Sequence, residues 1–361
     1  MTILDRYVSR EFIKQLFLIL LTLISLSLLV DFFGKIRMFM SNKATFAQMA
    51  SYFFYEIPLF ASLTIPASVL LASLMTFASL SRYNEIIAMK ANGISLYRIS
   101  LPVIIIAGIL CLVTFYVTEF LTPYGIEKAE HIRLVEVQKQ KKAGQGAFKQ
   151  NQIWYRGKGA IYNFRVFDPD KRILKGVTIF YLDSGFHLTS RIDAEWAEWK
   201  NGVWTLHNIM ESYFDTGTFP RLKWIDKKKI DIAEEPADFQ VIQKDAEQMG
   251  YLELRRYINK MENEGYDVTR HLVDMYGRMA FPFVTLILVF IGISFSLKMG
   301  RSGGVTKSIG AGIVIGFSYW IVHAFSMSLG RSGTVPPFIS AWLANAIFVS
   351  AAIYLFKKVE I

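Results

Sequence analysis

The sequence predicts an α-helical membrane protein of six transmembrane helices, with an all-β, jelly-roll-like domain inserted between helices three and four. Three observations predict it. Of the 361 residues 53% are hydrophobic, and they gather into blocks of the roughly 20 residues that a membrane-spanning helix needs. Residues 123–270 break that pattern with charged, aromatic runs in which apolar and polar side chains alternate. The net charge of +10 sits mainly beside the apolar blocks, because residues 123–270 hold 24 Lys and Arg against 22 Asp and Glu. That distribution suits membrane topology and phospholipid headgroups rather than a nucleic-acid stripe.

The first block, residues 12–33, follows Asp5, Arg6, Arg10 and Lys14. It is longer than a signal-peptide core, and no small-x-small cleavage site follows it, so it reads as a retained span. A polar link with Lys35, Arg37 and Lys43 leads to residues 52–80, where Pro58 and Pro66 are expected to bend the second span. Residues 81–98, SRYNEIIAMKANGISLYR, separate it from a third span at 99–122. Three more spans, at 276–297, 308–329 and 338–356, close the chain. The organisation is thus 1–122 for spans one to three, 123–270 for the β domain and 271–361 for spans four to six.

Within the inserted region the runs IWYRG, AIYNFRVF, GVTIFYLD, FHLTSRID, VWTLHN and PRLKWID have the period of strands. Asp168-Pro169-Asp170, Asp183-Ser184-Gly185 and Asn201-Gly202 separate them, and Asn-Gly between alternating runs is a strong hairpin signal. An antiparallel sandwich or jelly roll is expected, flanked by polar helices at 127–142 and 251–264.

With a cytoplasmic amino terminus, the short cytoplasmic segments hold eleven basic residues: Arg6, Arg10, Lys14, Arg82, Lys90, Arg98, Lys298, Arg301, Lys307, Lys357 and Lys358. The short outer loops hold four: Lys35, Arg37, Lys43 and Arg331. The positive-inside rule then puts both termini in the cytoplasm and the β domain outside, which is the periplasm of a Gram-negative inner membrane.

Catalytic and cofactor chemistry find no motif. Residues 300–308, GRSGGVTKS, lack the glycine that precedes lysine in a phosphate loop and join two spans. The single Cys111 lies in an apolar block, and His131, His187, His207, His271 and His323 lack metal-ligand spacing. Neither a metal nor an enzyme active site is expected. Charges beside the hydrocarbon carry more: Asp31, Glu56, Glu119 and Arg278 all fall at the outer level, as interfacial anchors or as the rim of a cavity for a charged amphiphile. Lys35, Arg37 and Arg278 are the cation donors such a rim offers to anionic headgroups. Ser308, Gly312 and Gly316 form a small-residue face in span five, open either to packing within the chain or to a partner's helix. In residues 81–98, Ala88, Ala91 and Gly93 permit close approach while Arg82 and Glu85 supply charge, as a plain connector or as a point of contact with a soluble partner.

Taken together, the chain resembles the LptF/LptG permease family of the lipopolysaccharide export system, and its LptG side more closely. The features are Leu4-Asp5-Arg6-Tyr7, then Ser81-x3-Glu85-x3-Met89-x-Ala91-x-Gly93, Pro123-x-Gly125-x3-Ala129-x3-Arg133, Arg278-x3-Pro282 and Gly333-x2-Pro336-Pro337. Their order, with three spans, a β domain and three spans, covers nearly the whole chain.

The resemblance implies one transmembrane half of an ABC transporter. An LptF-like permease, an LptB-like ATPase dimer, LptC and LptA would be its partners, and lipopolysaccharide its substrate. ATP would be bound by the ATPase, leaving this chain without a cofactor. Residues 81–98 would be the coupling helix, with Arg82, Glu85, Met89, Ala91 and Gly93 at the contact. Span one would face the partner's span five in a lateral gate, giving Ser308, Gly312 and Gly316 a partner. Lys35, Arg37, Arg133 and Arg278 would meet lipid A phosphates. Two departures stand out: Asp31 occupies the outer end of span one, with Lys35 and Arg37 following, and Leu59 replaces a basic residue after the proline of span two.

Other functions make different demands. An ATP-independent carrier needs ionisable groups near the bilayer midplane, whereas these lie at the rims. A membrane enzyme would form product as an isolated subunit. A mechanotransmission or scaffold protein would show no lipid inside its cavity.

Overall fold

The computed structural model describes residues 3–138, 153–156, 160–168, 172–183, 185, 187–200, 202–214, 219–230, 249–263 and 267–360. Helix α1 (Ile3–Ser41) carries Asp5 in its first turn, where a carboxylate suits the exposed N–H groups. Helix α2 (Phe46–Arg82) begins at a capping box in which the Thr45 hydroxyl accepts from the Gln48 N–H and the Gln48 side chain accepts from the Thr45 N–H. It stays helical through Pro58 and Pro66. The short α3 (Glu85–Ala91) lies between left-handed Asn84 (φ 60°) and Gly93 (φ 78°). Gly93 N–H reaches Lys90 O and Ile94 N–H reaches Met89 O, a closure that the left-handed glycine permits.

Helix α4 (Leu96–Tyr116) runs on through a wide π turn (Val117–Leu121), α5 (Thr122–His131) and a second π turn (Ile132–Val137). The helical run Leu96–Val137 has 42 residues. At 1.5 Å per residue it reaches about 60 Å, twice the hydrocarbon thickness, so it continues well beyond one membrane crossing. The expected polar helix at 127–142 is its distal part; residues 139–142 lie outside the described set.

All six expected strands form: β1 (Ile153–Arg156), β2 (Ala160–Asp168), β3 (Ile173–Leu182), β4 (Leu188–Lys200), β5 (Val203–Tyr213) and β6 (Arg221–Ile230). Among the described residues they make one antiparallel sheet in the order β1-β2-β3-β4-β5-β6, a meander, rather than the Greek-key order of a complete jelly roll. The sheet is bent along one line. Pairing skips Arg165 with Gly176, Glu195 with Asn208, and Asp226, while Gly176 (φ 62°) and Asn208 (φ 51°) are left-handed there. Inward side chains change parity at this line, from Leu174 to Val177, from Ala194 to Ala197 and from Leu206 to Ile209, yet all line one core with Trp204. A curved sheet with a single apolar face results. Of the three expected turns, Gly202 (φ 77°) closes the β4–β5 hairpin, whereas Pro169, Asp170, Ser184 and Asn201 lie outside the described residues.

The chain returns through α6 (Tyr251–Asn263) and α7 (Thr269–Ala280), then α8 (Phe283–Arg331) and α9 (Pro337–Glu360). Three of the five helices long and apolar enough to cross a membrane precede the sheet, and Lys307–Arg331 and Pro337–Lys358 follow it. Thr269–Ala280 and Phe283–Leu297, bent by 49° at a break, together make a sixth. Pro282 sits at that break, where its missing N–H interrupts the helical ladder. Although α8 is one run in sequence, its two halves, Phe283–Leu297 and Lys307–Arg331, fold back on each other. A Cβ at Gly292 would touch Ser73 and Leu70, and one at Gly312 would touch Leu71 and Leu74. Twenty residues of straight helix would hold these glycines about 30 Å apart, so spans four and five run back to back against α2.

Two apolar clusters bind the spans. One joins Val8, Phe12, Phe77, Ile86, Ile99 and Phe356; the other joins Leu70, Leu74, Val284, Leu288, Tyr319 and Ala344. The contact of Tyr97 with Phe356, 5.1 Å between rings, puts residues 81–98 at the same end as the carboxyl-terminal helix end.

Candidate functional site

At the end carrying the termini, residues 81–98 are fastened to the start of α1. Tyr7 Oη donates to Glu85 Oε2 at 2.9 Å, and Arg98 Nη2 meets the buried Asp5 Oδ2 at 2.9 Å. Ile86 is buried in a core that draws on spans one to four and six, and Met89 packs against it. Arg82, Ala91 and Gly93 are exposed, as are Tyr83, Ile87 and Ala88. The segment therefore has an anchored side and an open side. The open side is apolar and small in the middle, with Arg82 and Lys90 near it. Of the five residues expected at a partner contact, Met89 faces inward and Glu85 is half-buried against Tyr7.

Toward the other end, Lys35 is surrounded rather than open. Its ammonium lies 2.9 Å from Asp31 Oδ2 and 2.8 Å from Glu56 Oε1, and it donates to Tyr52 Oη at 2.6 Å. Tyr52 in turn donates to Glu56 Oε1 at 2.6 Å. With both carboxylates so close, the local charge is negative, a poor seat for a lipid phosphate. Arg37, one turn of helix onward from Gly34, is exposed. Arg133 pairs with Glu130 at 2.6 Å, an i,i+3 neighbour on the helix extending from span three.

Arg278 lies at the base of α7. Its Nη1 donates to the carbonyl of Met249, and its side chain lines a cleft of about 300 Å³ together with Leu59, Ser62, Trp320, His323 and Arg331. Arg331 is paired with Asp274 at 2.7 Å. The Leu59 substitution noted in the sequence thus falls in the same cleft as two guanidinium groups, which keeps its wall on that side apolar. Glu119, in the first π turn, accepts from Tyr251 N–H at 2.7 Å. The four rim charges therefore separate into two sets: Asp31 and Glu56 around Lys35, Glu119 and Arg278 around residues 249–251.

The small-residue face of span five is used within the chain. Gly312 abuts Leu71 and Leu74, Gly316 faces Leu70, and Ser308 is buried. Packing within the chain, one of the two readings the sequence left open for this face, is thus present against α2. Ile313, Val314, Phe317 and Ile321 on that span are exposed.

A sequence model of the lipopolysaccharide export system permease LptF/LptG matches residues 6–358. The chain belongs to that family. It is similar to the lipopolysaccharide export system permease protein LptG of Escherichia coli (strain K12), with 22% identity over 99% of this chain and 98% of the relative. The protein of the same name from Haemophilus influenzae is likewise 22% identical, over 98% of each chain. Membership makes this a permease of the lipopolysaccharide export system, and with its apolar helices a multi-pass inner-membrane protein.

Several groups in this permease carry roles that sequence reasoning did not assign. Asp5, Tyr7 and Arg98 form the ties to the 81–98 segment, although Asp5 and Tyr7 stand in the family motif at the amino terminus. Tyr52 closes the Lys35 cluster, and its i,i+4 spacing to Glu56 was the available signal. Arg331 and Asp274 join Arg278 at the cleft from 57 residues apart, with no local signal at all.

Proposed function

We propose that this permease is the transmembrane subunit through which ATP hydrolysis in a partner ATPase lifts lipopolysaccharide from the outer leaflet of the inner membrane and passes it to a periplasmic bridge. In this reading an LptB-like dimer docks on residues 81–98, an LptF-like permease completes the membrane part, and LptC and LptA take the lipid onward. Both termini lie in the cytoplasm and the β domain in the periplasm. The chain itself is not an enzyme and holds no cofactor.

The observation that carries the reading is the two-sided build of the 81–98 segment. Tyr83 and Ile87 are 67% and 52% exposed beside Ala88 and Ala91, while Ile86 is buried among spans one to four and six. An exposed apolar patch with small residues at its centre suits a groove on a soluble partner. Force applied there passes through the Tyr7–Glu85 and Asp5–Arg98 ties and through Ile86 into packed helices, which move as bodies rather than deform. Withdrawing a multi-chain lipid exposes about 0.8 kcal/mol per CH₂, so an apolar path into the curved sheet keeps that cost from falling in one step. Arg37, exposed, and the half-buried Arg133 and Arg278 supply the cations for its phosphates; Lys35 supports the rim by holding Asp31 and Glu56.

The test is purification of the complex with Ile87→Asp in this chain. The expected result is loss of the ATPase from the purified complex, with the partner permease retained. Unchanged ATPase recovery and unchanged lipid release would overturn the docking site. Removal of charge at Arg37, Arg133 or Arg278 is expected to weaken lipopolysaccharide photocrosslinking, and equal crosslinking in all three variants rejects the headgroup role.

A further inference from the structure

Residues 249–251, where the chain returns toward the spans after the sheet, are gripped from both sides. Glu119 of the first π turn accepts from Tyr251 N–H at 2.7 Å and lies 3.5 Å from the Leu252 nitrogen, so one carboxylate caps the start of the 13-residue α6. Arg278 donates to the Met249 carbonyl from the base of span four. Met249 is fully buried, packed with Leu254, Ile258, Val268 and Met275. Gly250 between the two grips fits closely: a Cβ there would lie 3.0 Å from Glu119 Oε1 and 3.2 Å from its backbone oxygen.

Glu119 belongs to the outgoing helix that leads to the sheet, and Arg278 to the helix that re-enters the spans. The two contacts thus tie the departing and returning connections of the β domain at one point. A π turn places Glu119, and such insertions recur where a helix serves function rather than regularity. Neither grip serves the cap of its own helix.

We infer that Glu119 and Arg278 are positioning residues that lock the root of the β domain to spans three and four, so that tilting of these spans re-aims the sheet. A wedge at Gly250 opens the joint while every charge stays in place, which separates this role from electrostatic contact with the lipid. Arg278 also lines the cleft with Leu59 and Arg331, so in the transport reading above it would serve both roles.

The experiment uses the full transporter complex in nanodiscs with Glu119→Gln and, separately, Gly250→Ala. Amide hydrogen exchange is followed at Tyr251 and Leu252, and spin labels on exposed Ala50 and Lys175 report the distance between span two and the sheet. Both variants are expected to exchange about tenfold faster at those amides, as befits the loss of a charge-assisted hydrogen bond. The label distances are expected to broaden, and transfer of lipopolysaccharide to a soluble acceptor to fall several-fold. The transfer measurement rests on the transport reading above, whereas exchange and distance do not. Unchanged exchange or unchanged distances in both variants overturns the joint. Broadened distances with undiminished transfer overturns the positioning role, and lost transfer with an intact joint assigns Glu119 to the lipid instead.

Discussion

Tyr7 and Glu85, 78 residues apart, share a hydrogen bond of 2.9 Å that ties the first turns of span one to the short helix after span two. Glu85 is one side of an internal tie at the edge of the exposed face. Tyr7 is half-exposed, so water competes for the bond and its strength is about 1 kcal/mol. Tyr7→Phe keeps the ring and removes only the donor. Lipid released per ATP hydrolysed should fall by up to about fivefold, the equivalent of that energy, with assembly intact. Glu85→Gln should produce a loss of the same order, and the double variant should add little because both remove one interaction. Proteoliposome release and ATP turnover measured together check this; a ratio equal to wild type in Tyr7→Phe would sink the tie as a coupling element.

The Lys35 cluster makes a prediction about stability rather than lipid contact. Lys35→Ala leaves Asp31 and Glu56 facing each other with no cation, and breaking such a partly buried set costs about 3 kcal/mol. A clear drop in the melting temperature of the purified complex is expected, largely restored by Lys35→Met with Asp31→Asn and Glu56→Gln. Arg37→Ala, on an exposed side chain one turn of helix from Phe33, should leave the melting temperature unchanged. Equal destabilisation by Lys35→Ala and Arg37→Ala would contradict the separate roles given to these neighbours.

The parts legible in the sequence are those set by local pattern. Hydropathy located the six spans, and alternation located all six strands, because both depend on neighbours within about twenty residues. Hydropathy began span four at residue 276, yet the 49° bend at Pro282 and the helical lead-in Thr269–Ala280 follow from packing that hydropathy does not report. The curvature of the sheet depends on Gly176 and Asn208 lying on one line across three strands, which only register reveals. The charges were found individually, but their partners were not. Lys35 meets Glu56 from 21 residues away, Arg98 meets Asp5 from 93, and Glu119 meets Tyr251 from 132. Such distances are closed by the fold, so a cation beside an apolar block looks the same in sequence whether it awaits a phosphate or already holds two carboxylates.

Glycines at the helix contacts differ sharply in what a methyl group would meet. At Gly292 a Cβ falls 2.0 Å from Ser73 Oγ and 3.1 Å from Leu70 O, whereas at Gly316 the nearest atom is a Leu70 methyl at 3.8 Å. Gly292→Ala should therefore force spans two and four apart at a cost of about 1–3 kcal/mol, with Gly316→Ala nearly neutral. Thermal unfolding of the two purified variants checks the difference. A Gly316→Ala protein as unstable as Gly292→Ala would mean that the fold-back of α8 against α2 differs from the one described.

The sheet contributes a pH dependence of its own. Glu211 is buried, and burial alone would raise its carboxyl, but the Lys228 ammonium at 2.5 Å and the Tyr213 hydroxyl at 2.8 Å outweigh this and hold it below the usual range. The hydrogen bond to Glu211, against the opposing effect of burial, raises Lys228 above its ordinary value. For the carboxylate, the stabilisation is present above its unfolded value, near pH 4, and is lost as pH falls through the lower folded value. For the ammonium it is present below about pH 10 and disappears as pH rises through the higher folded value. The β5–β6 pairing should accordingly be most stable between these limits and weaken at both extremes. Glu211→Gln removes both dependences, so the fluorescence of Trp204 and Trp224 in the intact chain should unfold in denaturant with a midpoint that varies less between pH 3 and pH 7 than in wild type. An acid limb of undiminished steepness in Glu211→Gln would assign the dependence to other carboxylates of the sheet, of which Asp183, held low by the backbone N–H groups of His187 and Gly185, is the next to replace.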